Sequence, residues 1–192
     1  MTTTRTDRRW LATALFTVPL VGAYLLDLLA VTGLDDPLRN LGLDVVRSGD
    51  PLSLLTAVAM LGSALAAVRR PNAAPYIAVG TMLASSIFLL ATNARPTGVG
   101  SVPLMATELM ACALLLIHCL WRLDSPTQAW GAVAAIAGGG LVAVGIRFGV
   151  TMPAILGEWT EHLVYALALL LVTLTVAAGA GFLLRRRTGS AA

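Results

Sequence analysis

Between His162 and Arg185 the chain carries 22 residues without a single charge, the run from Leu163 to Leu184. As a helix, that run is about 33 Å long at ~1.5 Å per residue, enough to cross a bilayer's hydrocarbon core of about 30 Å. A soluble domain of this size has no way to bury it. Five further charge-poor segments precede it, at about 10–32, 51–68, 75–94, 102–121 and 126–146. Each is close to the ~20 residues a spanning helix needs. The expected fold class is therefore all-α: a polytopic membrane protein with one six-helix transmembrane domain over 1–192 and its last span at about 161–184. The composition agrees. Of 192 residues, 57% are hydrophobic and only 12% charged, and the mean hydropathy is +0.83.

The first segment is too long for the apolar region of a cleavable signal and lacks an evident cleavage site, so it reads as a span. Pro19 inside it predicts a kink. Asp50-Pro51 and Ser125-Pro126 each pair a capping side chain with proline at the first helical position. Between the first two spans, "GLDDPLRNLGLDVVRSGD" (Gly33–Asp50) places Leu34, Leu38, Leu41 and Val45 on one helical face. A short amphipathic segment over 34–48 is expected there, at the outer surface.

All 13 basic residues are arginine, and they set the orientation. With both the N and C termini cytoplasmic, Arg5, Arg8, Arg9, Arg69, Arg70, Arg122, Arg185, Arg186 and Arg187 fall inside. Only Arg39, Arg47, Arg95 and Arg147 fall outside, a clear positive-inside bias. Of the acids, only Asp7 and Asp124 fall inside. Trp10, Trp121 and Trp130 then line the inner interface. The expected location is a bacterial-type inner (plasma) membrane, crossed several times. The arginines sit in short clusters beside apolar runs, so the net charge of +3 is not a nucleic-acid signal.

An ionised group at membrane depth costs a few kcal/mol or more unless paired or hydrated, which makes it a candidate site. Asp27 lies about two turns below the outer end of the first span and Glu108 at similar depth on the fourth. Arg147 ends the fifth span on that side; Asn93 and Arg95 end the third. In one reading, Arg147 or Arg95 pairs with Asp27 or Glu108 and locks the helices. In the other, these residues line an outward polar cavity for a small or lipophilic ligand. Glu158, Glu161 and His162 stand at the start of the last span. Acids there complement the helix dipole, while Glu158 and His162 share a face at i, i+4 and join the candidate ligand-binding set. HxxEH zinc spacing is incomplete here because its first histidine is missing, so neither a metal site nor a cofactor is expected. Nor is a haem held between His118 and His162, which sit near opposite membrane faces. His118 itself is expected as an interfacial hydrogen-bonder. Cys112 and Cys119 are about 10 Å apart along one helix, too far for a mutual disulfide.

In the fifth span, Gly131, Ala135 and Gly139 recur at four-residue spacing, a small-residue face for close helix contact with a protein partner or a second copy. Thr81, Ser85, Thr92 and Asn93 make a mildly polar stripe on the third, expected to bond its own backbone.

At "ARPTGVG" (Ala94–Gly100), "VGIRFGV" (Val144–Val150) and "GAGFLLRRR" (Gly179–Arg187) the chain resembles the multi-span membrane sensor region of certain bacterial histidine kinases. The resemblance covers roughly the C-terminal half and implies a sensing or regulatory membrane module. In that family the last span leads into a coil, a phosphoacceptor histidine and an ATP-binding domain; no kinase motif occurs here. The functional expectation is a ligand-binding or sensing module with no recognisable catalytic set. The alternatives are a membrane-embedded enzyme using Asp27 or Glu108 as a buried acid on a lipid or isoprenoid, and a transporter or transporter subunit.

Overall fold

The computed structural model describes residues 5–32, 45–46, 52–92, 98–99, 104–123, 125–151 and 159–189. Its side chains are described over 16–29, 54–92, 104–123, 125–149 and 163–186. Among the described residues there are six helices: α1 (Arg5–Thr32), α2 (Leu52–Ala66), α3 (Ala74–Thr92), α4 (Ala106–Arg122), α5 (Pro126–Thr151) and α6 (Trp159–Gly189). Three carry stretches long and apolar enough to cross a membrane: Ala74–Thr92, Pro126–Gly149 and Leu163–Arg186. Phe16–Leu29 and Leu54–Ala66 are shorter apolar helical stretches. The chain is thus a helical protein with the hallmarks of a membrane protein.

Contacts along the helices fix their directions. Asp27 meets Thr107 while Phe16 meets His118, so α1 and α4 are antiparallel. Thr56 bonds Ser85 across the tight α2–α3 turn. A Cβ on Gly131 would touch Tyr76, one on Gly139 would strike Val79, and Arg147 bonds Ser86, so α5 runs parallel to α3. Successive helices alternate in direction, and the C-terminal ends of α1, α3 and α5 gather at one end.

The helix starts and stops follow local chemistry. Pro126 stands at the first position of α5, as expected, and the first backbone bond of that helix runs from the Ala129 N–H to the Ser125 carbonyl at 3.1 Å. The α1 helix continues through Pro19 and begins upstream of the apolar run, at Arg5. The fourth helix starts at Ala106 rather than near residue 102. The fifth continues past Ile146 to Thr151, which places Arg147 inside the helix, about one turn before its end. Val45, expected on a helical face, instead pairs with Val99, and Val46 with Gly98, in a short antiparallel ladder β1–β2 (Val45–Val46 and Gly98–Val99). Extended backbone at these two connections pairs its polar groups across the gap, with valine at three of the four positions. The remainder of the amphipathic segment, with Leu34, Leu38 and Leu41, lies outside the described residues, as do Asp50 and Pro51.

The central element is α4, which touches all five other helices. It buries Thr107, Glu108, Ala111, Cys112, Leu115, Leu116, His118, Cys119 and Leu120, more than one face. A helix bearing a glutamate and a histidine in an apolar protein is driven inward, where those groups find partners. By contrast, α6 lies at the periphery. It buries the stripe Ala166, Leu170, Ala177 and Gly181 and exposes Val164, Leu171, Val172 and Val176.

Small residues set how closely the helices approach, as dispersion packing between apolar helices requires. A Cβ on Gly181 would lie 2.9 Å from Leu120 Cβ and 3.0 Å from the Ile117 carbonyl oxygen, so α6 packs backbone-close on α4. Gly139 is buried against Val79 of α3. Gly131 and Gly139, expected to serve a partner, therefore face α3 of the same chain. The physical reason is that a small-residue face lets the parallel α3 approach closely enough for Val79 to contact the Gly139 backbone position.

Candidate functional site

The site grows from the N-terminus of α4. Its first N–H groups have no intrahelical acceptors, and Met105 at the cap position has no oxygen in its side chain to offer. Asp27 supplies the missing cap from α1. Its Oδ1 accepts the Ala106 N–H at 2.8 Å. Its Oδ2 accepts the Thr107 N–H at 2.8 Å and the Thr107 hydroxyl at 2.5 Å. Both oxygens thus meet the positive end of the α4 dipole. From within α4, Glu108 Oε2 reaches back to accept the Met105 N–H at 3.0 Å, the return half of a capping box.

Glu108 then meets Arg147 of α5 in a two-pronged pair. Arg147 Nη1 donates to Oε2 at 2.5 Å and Nη2 to Oε1 at 2.6 Å. The two side chains are 2% and 0% exposed, so water screens little of the attraction. The planar guanidinium matches the carboxylate in a way a lysine ammonium does not. Its other contacts fall on α3. Nε donates to Ser86 Oγ at 2.9 Å and Nη2 approaches Ser85 Oγ at 3.4 Å. The Ser86 hydroxyl in turn donates a hydrogen bond to the Met82 carbonyl at 2.8 Å. Ser85 accepts from Thr56 of α2 at 2.9 Å. One layer thereby joins α1, α2, α3, α4 and α5.

Three of the expected site residues, Asp27, Glu108 and Arg147, are thus brought together. Asn93, Arg95 and Glu158 lie outside the described residues. Glu161 and His162 hold backbone positions in the first turn of α6, at the same end because α6 runs parallel to α4. Thr56, Ser86 and Thr107 were not expected in the layer. The available signal was the arginine itself: it has more donors than one carboxylate fills, so hydroxyls at equal depth on neighbouring helices are its natural acceptors. Ser85 departs from its expected self-bonding for the same reason, whereas Thr81 and Thr92 do bond backwards, to Ile77 and Phe88.

At the other end of α4, His118 is buried within the protein, 5% exposed, and makes the hydrogen bond expected of it, to the Ala67 backbone. Phe16 covers it edge-on, with ring centroids 5.2 Å apart, which is why water does not reach it. Its Nδ1 has no hydrogen-bond partner among the described residues. Cys112 and Cys119 are free and buried. Among the described residues no three His, Cys, Asp or Glu side chains converge to hold a metal ion.

Loss of the Asp27 cap gives a local test. Asp27→Ala should destabilise the protein by about 1–2 kcal/mol, the range for losing a capping oxygen. Hydrogen exchange at the Ala106 and Thr107 amides should rise with it. Unchanged protection at both amides would show that Asp27 is not their acceptor.

The chain has been compared with known protein families, with curated proteins and with solved structures, and nothing matches in any of the three.

Proposed function

We propose that this chain is a multi-pass membrane protein, a bacterial-type inner-membrane module with six spans and both termini cytoplasmic, that binds or senses a ligand at its polar layer. The observation that carries this reading is the buried Glu108–Arg147 pair. Desolvating two charges costs several kcal/mol per ion, and well-packed apolar side chains hold helices as firmly. A buried pair of this kind is best used as a two-position element. A ligand carrying a carboxylate or phosphate competes with Glu108 for Arg147. The exchange releases α5 from α4, and α4 passes the change to α6, which packs along it. The resemblance to membrane sensor regions agrees with such a regulatory role. The acid-catalyst alternative gains nothing from the geometry, since both oxygens of Asp27 and of Glu108 already accept hydrogen bonds.

Native mass spectrometry of the protein, extracted gently from its own membrane, tests the proposal. A small anionic molecule should accompany the wild-type chain and be missing from Arg147→Gln. Wild-type protein emerging with no bound small molecule would leave the pair as a fold lock alone.

A further inference from the structure

The end of the molecule opposite the polar layer is basic, and the backbone turn that carries two of its arginines is held by hydrogen bonds. The α2–α3 turn carries Arg69 and Arg70. Their N–H groups both bond the Ala66 carbonyl, at 3.0 and 2.8 Å, and the Arg70 carbonyl accepts from Ala73 and Ala74 at 3.2 and 3.1 Å. The turn is tied to α4 where Cys119 Sγ contacts the Pro71 carbonyl at 3.7 Å. Arg122, three residues beyond Cys119, shares that face of α4, and its guanidinium stacks over Trp121 at 4.4 Å. All three arginines are exposed. Both acids with described side chains, Asp27 and Glu108, belong to the opposite end. The C-terminal dipoles of α2 and α4 offset about half a charge each, and among the described side chains no carboxylate stands at this end. Beside them the surface is apolar: Tyr76 and Ile77 are 55% and 51% exposed.

We infer that Arg69, Arg70 and Arg122 form a headgroup site for an anionic glycerophospholipid, with its phosphodiester on the guanidiniums and its acyl chains along Tyr76 and Ile77. Charge alone would suit any phosphate. The exposed Tyr76 and Ile77, which follow the arginine turn in the first turn of α3, select a lipid, whose polar and apolar halves match the two kinds of surface. Guanidinium forks suit phosphate oxygens, and clustered arginines at the membrane surface attract anionic lipid headgroups. The site rests on the chain being membrane-embedded, but not on the ligand proposed for the polar layer.

The test uses the full-length protein in vesicles and nanodiscs. Flotation with pure phosphatidylcholine vesicles comes first; a chain that does not co-float refutes membrane embedding, and the lipid site with it. The protein is then placed in nanodiscs of equal phosphatidylcholine and phosphatidylglycerol, and retained lipid is read by native mass spectrometry. Wild type should retain phosphatidylglycerol selectively. The Arg69→Gln/Arg70→Gln/Arg122→Gln variant should lose that preference by on the order of a hundredfold, at roughly fivefold per arginine near an anionic surface. Arg185→Gln/Arg186→Gln, which removes charge from the same end but not from the site, should keep it. Circular dichroism establishes that both variants are folded. Equal retention of the two lipids by wild type, or a loss that merely tracks the number of charges removed, would overturn the site. Displacement of the lipid by inorganic phosphate at comparable concentration would instead assign it to free phosphate.

Discussion

Arg147→Met should destabilise the protein by about 3–5 kcal/mol, because it leaves Glu108 buried without its counter-charge. The double variant Arg147→Met/Glu108→Leu should recover much of that loss, since neither charge then remains to be desolvated. Recovery should be incomplete. Glu108 also accepts the Met105 N–H, and that donor would lose its partner at a cost of about 1 kcal/mol. Unfolding of the three proteins in one detergent, followed by tryptophan fluorescence, gives the comparison. A single variant no less stable than the double would mean that an unpaired Glu108 carries no penalty in this core, and the proposed two-position element would go with it.

Neighbouring glycines in the run Gly138-Gly139-Gly140 should respond in opposite directions. On Gly139 a Cβ would overlap Val79 Cγ1 and stand 3.1 Å from its Cγ2. Val79 is β-branched and stiff at χ1, so the helices must part. Gly139→Val should therefore cost about 3 kcal/mol, the upper range for overpacking, and Gly139→Val/Val79→Ala should recover part of it. On Gly138 a Cβ meets nothing within 4 Å. Gly138→Ala should stabilise α5 by up to about 1 kcal/mol through helix propensity. The same unfolding measurement decides. Equal effects at the two positions would mean that the α3–α5 seam is not where the contacts place it.

Between these two results lies the limit of what could be read from residues alone. The apolar runs at 75–94 and 126–146 matched α3 and α5 closely, because spanning length and lack of charge are local properties. The start of α4 did not match. Val102 and Pro103 are as apolar as the helix itself, and that helix begins where Asp27, distant in sequence, can cap it. The approach of charged residues to one depth was legible from their distances to the ends of the runs. Which arginine meets which acid was not, since Asp27 and Glu108 differ in neither charge nor depth when read as positions on separate helices. Gly181 shows the same gap. Nothing local separates it from Gly179, yet a Cβ on Gly181 would strike the α4 backbone, and one on Gly179 would meet open space.

The chain by itself determined that it forms apolar helices, where most of them begin and end, and that a few charges sit inside them. Those outcomes depend on hydrophobicity, charge and backbone propensity, which each segment carries alone. Only the tertiary structure decided that Asp27 caps α4, that Glu108 takes Arg147, and that the Gly139 face belongs to α3. A buried polar group or a missing side chain acquires its meaning from the atoms opposite it, and those come from helices far away in sequence.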